Sequence, residues 1–281
     1  MTTSLAERQS EAAASFAAQG WPTRALEAWK TTPVKPIVAF GDGTLPEPSS
    51  LILEAASQAL ALLGEVTGPR LVLVGGHFMS ALSELGALKP SPSSSDTALG
   101  TIAGLDDAPL VALSGRALSD ALVIRASEAA GETVEIVHVG MAGSGGSHAR
   151  VLVDAGQSQE VTVVEHFITV GGDPSWTNSV TEVAVGPNAS VCHIQVLRGG
   201  TGTCRTGNLT ARVDRDGRVR VGRQLRATAL KRHVHRRVFL VAVVALHAQQ
   251  LHHRAGRLER RLGALCLGRV QPFHQHLRRR G

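Results

Sequence analysis

Between residues 121 and 221 one pattern repeats: short runs of alternating apolar and polar residues, with no helical period between them. The runs cover 122–125, 133–139, 149–153, 161–167, 179–185, 190–197, 208–213 and 218–221, at a spacing of roughly 10 to 17 residues. Gly, Asn, Asp or Ser stands between them. Strands this short bury nothing alone, so the pattern fits a sandwich, a barrel or a β-solenoid. Turns of the Gly-Asp and Gly-Pro-Asn kind, with no clear two-residue hairpin signal, tilt the reading to a solenoid. Periodicity leaves all three open.

The preceding part reads differently. Ser4 and Glu7 form a capping box, in which each side chain satisfies the other residue's backbone N–H. Leu5, Ala12, Ala13 and Phe16 follow at helical spacing and Gly20 ends the run, predicting a helix over 4–18. Pro22, Pro33 and Pro36 break regular structure in 20–37, although 23–30 has room for two helical turns. A second helix is expected over 50–63, stopped by Gly64. RLVLV at 70–74 is expected to be a short buried strand closed by Gly75-Gly76, and KPSPSSS at 89–95 a solvated loop.

Charge divides the chain in two. From 222 to 281 there are 14 basic residues and one acid, Glu259, giving +13; the other 221 residues hold 15 basic and 22 acidic side chains, or −7. Seven of the twelve histidines also lie in this tail, at 233, 235, 247, 252, 253, 274 and 276. His233/His235, His252/His253 and His274/His276 have the look of metal pairs, and the arginines that of a nucleic-acid arm. A G+C-rich codon stretch translated out of frame gives the same Arg, His, Leu, Ala and Gly excess without Asp or Ile. That is the preferred reading, and no function is built on the tail.

Other compositional features bound the function class. Cys192, Cys204 and Cys266 are an odd set without close pairing, which suits a reducing cytoplasm rather than a disulfide framework. The longest apolar run, 238–246, is about half the length a membrane helix needs. The first 16 residues lack a secretory h-region.

Each chemical motif has a bland counterpart. GMAGSGGSH at 140–148 lacks the Lys-Ser/Thr end of a phosphate loop and leads into a strand. LVLVGGHF lacks the third glycine of a dinucleotide turn. Cys192, His193 and Cys204 are zinc- or cluster-ligand types, but adjacent strand residues point to opposite faces, and a buried Cys serves as a small hydrophobe. Asp154, Glu165, Asp173 and Glu182 are the acids of the strand region. They fall one to a rung at most, a poor basis for the paired carboxylates of a β-helix carbohydrate enzyme.

A resemblance then organises the chain. The segment Gly20-Trp-Pro22-Thr23-Arg24-Ala-Leu-Glu27-Ala-Trp29-Lys30-Thr-Thr resembles the N-terminal signature of SufD, a subunit of the Suf iron–sulfur assembly machinery. LVLVGGHF is similar to a strand of that family. HARVLVDAG, VTVVEHF and TNSVTEVAVGPNAS are similar to its core, with Asn178, Glu182 and Asn188 in signature positions. The likeness runs in order over about 5–221, with Thr31 where the family usually has Tyr.

The resemblance implies a mainly β fold: a right-handed parallel β-helix behind a small helical N-terminal domain. The expected division is 1–100 helical with a short strand, 101–221 partial β-helix, and 222–281 basic tail. It also implies a non-catalytic scaffold that pairs with a SufB-like subunit and a SufC-like ATPase. The iron–sulfur cluster is the cargo of that complex; no catalytic, cofactor or metal residue is carried over. The family continues well beyond the point where the likeness ends, so SufC docking and the last rungs are expected to be missing and the solenoid end uncapped. The alternatives are a nucleic-acid-binding protein acting through its tail, and a β-helix carbohydrate-active enzyme.

Overall fold

The computed structural model describes residues 4–64, 68–89, 98–117, 121–129, 131–170, 174–198, 202–225 and 239–248. Most of the predicted loop at 89–95, Asp173, Cys266, the three tail histidine pairs and nearly all of the tail arginines lie outside these residues. Contacts group residues 1–249 into one compact unit. No helix among the described residues is long and apolar enough to cross a membrane.

The first helix, α1 (Leu5–Gln19), starts at the expected capping box: Ser4 Oγ accepts from the Glu7 N–H at 3.2 Å, and Glu7 Oε2 accepts from the Ser4 N–H at 2.6 Å. Gly20, at φ +65°, ends it. The expected two turns over 23–30 shrink to a single 3₁₀ turn at Glu27–Trp29, because Leu26 is extended (φ −77°, ψ 124°). A four-residue helix, α2 (Lys35–Val38), follows, and α3 (Ser50–Ala61) takes the place of the predicted second helix. The fourth, α4 (Pro109–Arg116), is unanticipated. Seven of its eight residues are buried, so it has no polar stripe to betray a 3.6 period.

The strands are β1 (Arg70–Val74), β2 (His77–Phe78), β3 (Ala121–Arg125), β4 (Thr133–Gly140), β5 (Ser147–Ala155), β6 (Glu160–Thr169), β7 (Ser175–Val185), β8 (Ser190–Leu197), β9 (Thr203–Val213), β10 (Arg218–Leu225) and β11 (Phe239–Ala248). They form two sheets, ordered β10-β8-β6-β4-β1-β2 and β11-β9-β7-β5-β3. From β3 onward the chain crosses from one sheet to the other at every strand, and every pairing is parallel. That is a β-solenoid, as the strand spacing and the resemblance imply. Stacked partners lie 29, 30 and 28 residues apart, as in Leu122↔Val151, Val151↔Thr181 and Thr181↔Leu209.

The ladder does not end at 221. β10 stays in register with β8 through Gly222 to Leu225, and β11 pairs with β9. The strand β1 joins the solenoid too, next to β4. Gly75 and Gly76, both at positive φ, turn it into β2 as a two-residue hairpin. A side chain at Gly76 would also stand 2.8 Å from the carbonyl oxygen of His148.

Alternation splits every strand between lumen and exterior. Leu71, Leu122, Ile136, Val151, Val163, Val183, Val191 and Leu209 fill one half of the lumen. Outside, α3 covers the β1 sheet through Ala56 and Leu60 on Val72, Val74, Val137 and Val139. The outer face of the other sheet, around Trp176 and Cys204, is covered by Phe16, Trp29, Ile37 and α4.

Candidate functional site

The second half of the lumen is polar. His138 on β4, Glu165 on β6, His193 and Gln195 on β8 and Thr181 on the facing β7 are all buried. Glu165 is the centre, at 0% exposure. Its Oε1 lies 2.7 Å from His138 Nε2 and accepts from the Thr181 hydroxyl at 3.3 Å; its Oε2 lies 3.2 Å from His193 Nε2 and accepts from Gln195 Nε2 at 3.1 Å. Burial pushes the Glu165 carboxyl up. The two imidazoles outweigh that and hold it well below the usual carboxylate range.

A cationic extension continues the column. The His138 ring stacks on Phe167 at 4.5 Å, and the Arg205 guanidinium sits 3.5 Å from the centre of the same ring. Arg205 donates through Nη2 to Ser179 Oγ at 3.3 Å. Burial pulls its pKa down to about 9, and the Glu165 charge acts against that. On β10, Arg223 donates through Nε and Nη2 to Gln195 Oε1. The column therefore runs from His138 through Glu165 and His193 to Arg205 and Arg223, one polar residue or pair per strand.

Its signal in the sequence is the solenoid period. His138, Glu165, Gln195 and Arg223 succeed one another at 27, 30 and 28 residues. Reading the acids one at a time finds Glu165 and misses its partners, because those partners are histidines and an amide on other rungs. Asp154 and Glu182 do not join it: they lie on the exterior alternation of β5 and β7.

Glu182 is instead a lock for the covering segment. It accepts from the N–H groups of Gly100, Ile102 and Ala103 at 2.6, 2.9 and 2.7 Å, and Arg150 Nε lies 3.4 Å away. Asn178, on the same face, donates to the Leu110 carbonyl at 2.8 Å and accepts from the Thr206 hydroxyl, which accepts from the Trp176 indole. Asn188 takes a left-handed turn at φ +58° and donates to Ser158 Oγ. All three carboxamide and carboxylate positions of the core likeness thus hold backbone or neighbouring turns.

In the N-terminal likeness, Pro22 and Trp29 are buried while Thr23, Arg24, Glu27 and Lys30 are exposed. Lys30 and Glu27 approach to 3.6 Å, and Thr23 Oγ1 accepts from the Ala25 N–H. Gly20 is the helix cap already described. None of these residues reaches the lumen column.

The cysteines do not converge with it either. Cys192 is half-buried on the exterior of β8, whereas its neighbour His193 is in the lumen. Cys204 lines an open groove of about 830 Å³ with Phe40, Ser144 and Pro174. Burial pushes its thiol up, making it a poor thiolate. The glycine-rich run at 140–148 forms part of the same groove and leads into the strand β5 rather than into a helix.

Residues 138–236 match the family model described as SUF system FeS cluster assembly, SufBD core domain. No curated protein matches the chain. The match opens at His138 and takes in β5 through β10, so every residue of the lumen column lies inside it. It supports the SufB/SufD family and a part in iron–sulfur cluster assembly, without distinguishing SufD from SufB.

Proposed function

We propose that this protein is a SufD-like scaffold subunit of a Suf-type complex. It works without catalysis of its own, pairs in the cytoplasm with a SufB-like subunit of a complex served by a SufC-like ATPase, its own SufC-docking part being absent, and helps build and hand on iron–sulfur clusters. The observation that carries this is the SufBD core match lying on an in-register parallel solenoid. The N-terminal likeness around Trp29 and Lys30 supports SufD over SufB. The cluster is cargo, and no residue of this chain is assigned to it as a ligand.

Co-expression with tagged SufB-like and SufC-like proteins tests the reading. The expected result is a stable complex with the SufB-like subunit on size exclusion. A folded chain that runs alone beside both partners would overturn it. Complementation in cells lacking SufD separates the two names: rescue there, and none in cells lacking SufB, is expected.

A further inference from the structure

We infer that a cleft between the N-terminal cover and the outer face of β7 and β9 binds a primary ammonium group. The inference stands on that cleft and does not depend on the family reading.

Space is the first requirement. The cleft holds about 70 Å³. At roughly 10–30 Å³ for each water-sized group, it admits an ammonium head with a short methylene stem. Ala28 and Trp29 of the 3₁₀ turn, Leu110 and Val111 of α4, and Asn178 and Thr206 of the two strands line it. Trp29, Leu110 and Val111 give the stem an apolar wall.

Charge then selects the ligand. The neutral polar groups of the lining are committed to one another. Asn178 donates to the Leu110 carbonyl and accepts from the Thr206 hydroxyl, which accepts from the Trp176 indole. Asn208 gives its carbonyl oxygen to the Thr210 hydroxyl. Asp107 is the single ionised side chain among the described lining residues. It is exposed and makes no ion pair with another described residue. Its φ of +51° is a left-handed backbone that Asp and Asn tolerate better than most side chains.

A carboxylate beside an indole repels an anion and rewards a cation twice, through its charge and through the π face of the ring. The described lining has no basic side chain to take that part. Lys30, next to Trp29 in sequence, faces Glu27 at 3.6 Å with 67% of its side chain exposed. An external ammonium meets both needs, its head at Asp107 and its stem along Trp29 and Leu110. Such a group arrives as a small free amine or as the lysine side chain of a partner protein.

The test uses the full chain with fluorotryptophan at its three tryptophans, Trp21, Trp29 and Trp176, read by fluorine NMR. Trp29→Phe assigns the resonance. Butylammonium chloride stands for a free amine, and lysine blocked at both backbone ends for a partner's side chain. Controls are 1-butanol and sodium chloride at equal ionic strength. The expected result is a saturable shift of the Trp29 resonance with an ammonium compound and none with the controls; the tighter of the two compounds names the source. Asp107→Asn keeps a residue that tolerates the left-handed turn and removes the charge, so it is expected to weaken binding about tenfold or more. Asp106→Asn, one residue away, is expected to leave binding unchanged. No saturable shift with either ammonium, an equal shift with 1-butanol, or unaltered binding in Asp107→Asn overturns the inference. Should Asp107→Asn fail to fold, butylammonium against 1-butanol on the wild type still decides.

Discussion

His148 shows how much one buried ring can set the pH range of a fold. It stands edge-on to Trp176 at 5.4 Å, near Asn178, Asp42 and Arg116. Burial, reinforced by the Arg116 charge, pushes its pKa from 6.5 down to about 4, with Asp42 acting in the opposite direction. The folded protein therefore binds fewer protons than the unfolded chain between these two values. Stability from the neutral ring is complete above pH 6.5 and is lost as pH falls towards 4, by up to about 3 kcal/mol. Urea midpoints of wild type and His148→Gln, measured across that window, should converge as pH falls. A gap that stays constant with pH would show that His148 does not carry the effect. Glu165 acts lower: its depressed pKa stabilises above the ordinary carboxylate range and is lost only below it, so the two groups separate on the pH axis.

Two contacts tie the covering segments to the solenoid, and each has its own signature. Glu182 holds the turn at 100–103 through three backbone N–H groups. Glu182→Gln removes the charge and an acceptor oxygen, so the variant should lose about 1–3 kcal/mol. Hydrogen exchange should quicken at the amides of Gly100, Ile102 and Ala103 before anything changes in the strands; uniform exchange through β5 and β7 would argue against a local lock. Trp29, 5% exposed, packs with Ile37 and Leu110 at the outer face. Trp29→Ala should cost about 3–5 kcal/mol, and an unchanged melting curve would remove it from the core. At this scale the sequence was informative where a local rule applies. The Ser4/Glu7 box, the Gly20 stop and the period-2 runs from 121 onward all correspond to observed elements. The helix α4 was hidden because it is apolar on nearly every side, and the lumen column because its members are one solenoid turn apart. No local window contains both Glu165 and His193.

At the scale of the whole chain, the question is where the charge resides relative to the folded unit. Residues 250–281 contain eight arginines against Glu259, a contribution of +7 to a chain whose net charge is +6, so residues 1–249 alone carry −1. The compact unit that holds both sheets and the lumen column is those same 1–249 residues. A solenoid is stabilised by rung-to-rung contacts, and every described rung lies within 1–249. A protein shortened to 1–249 should keep the thermal midpoint of the full chain to within about 1–2 °C, close to the smallest shift that about half a kcal/mol produces in a protein of this size. Its retention on heparin at low salt should fall away, because clustered arginines bind polyanions through counterion release whatever the sequence. A drop of ten degrees on shortening would mean that 250–281 supports the last rungs. Retained heparin binding would relocate the basic surface to the arginines of β9 and β10, among them Arg212, Arg218 and Arg220, at the same end of the solenoid as Arg205 and Arg223.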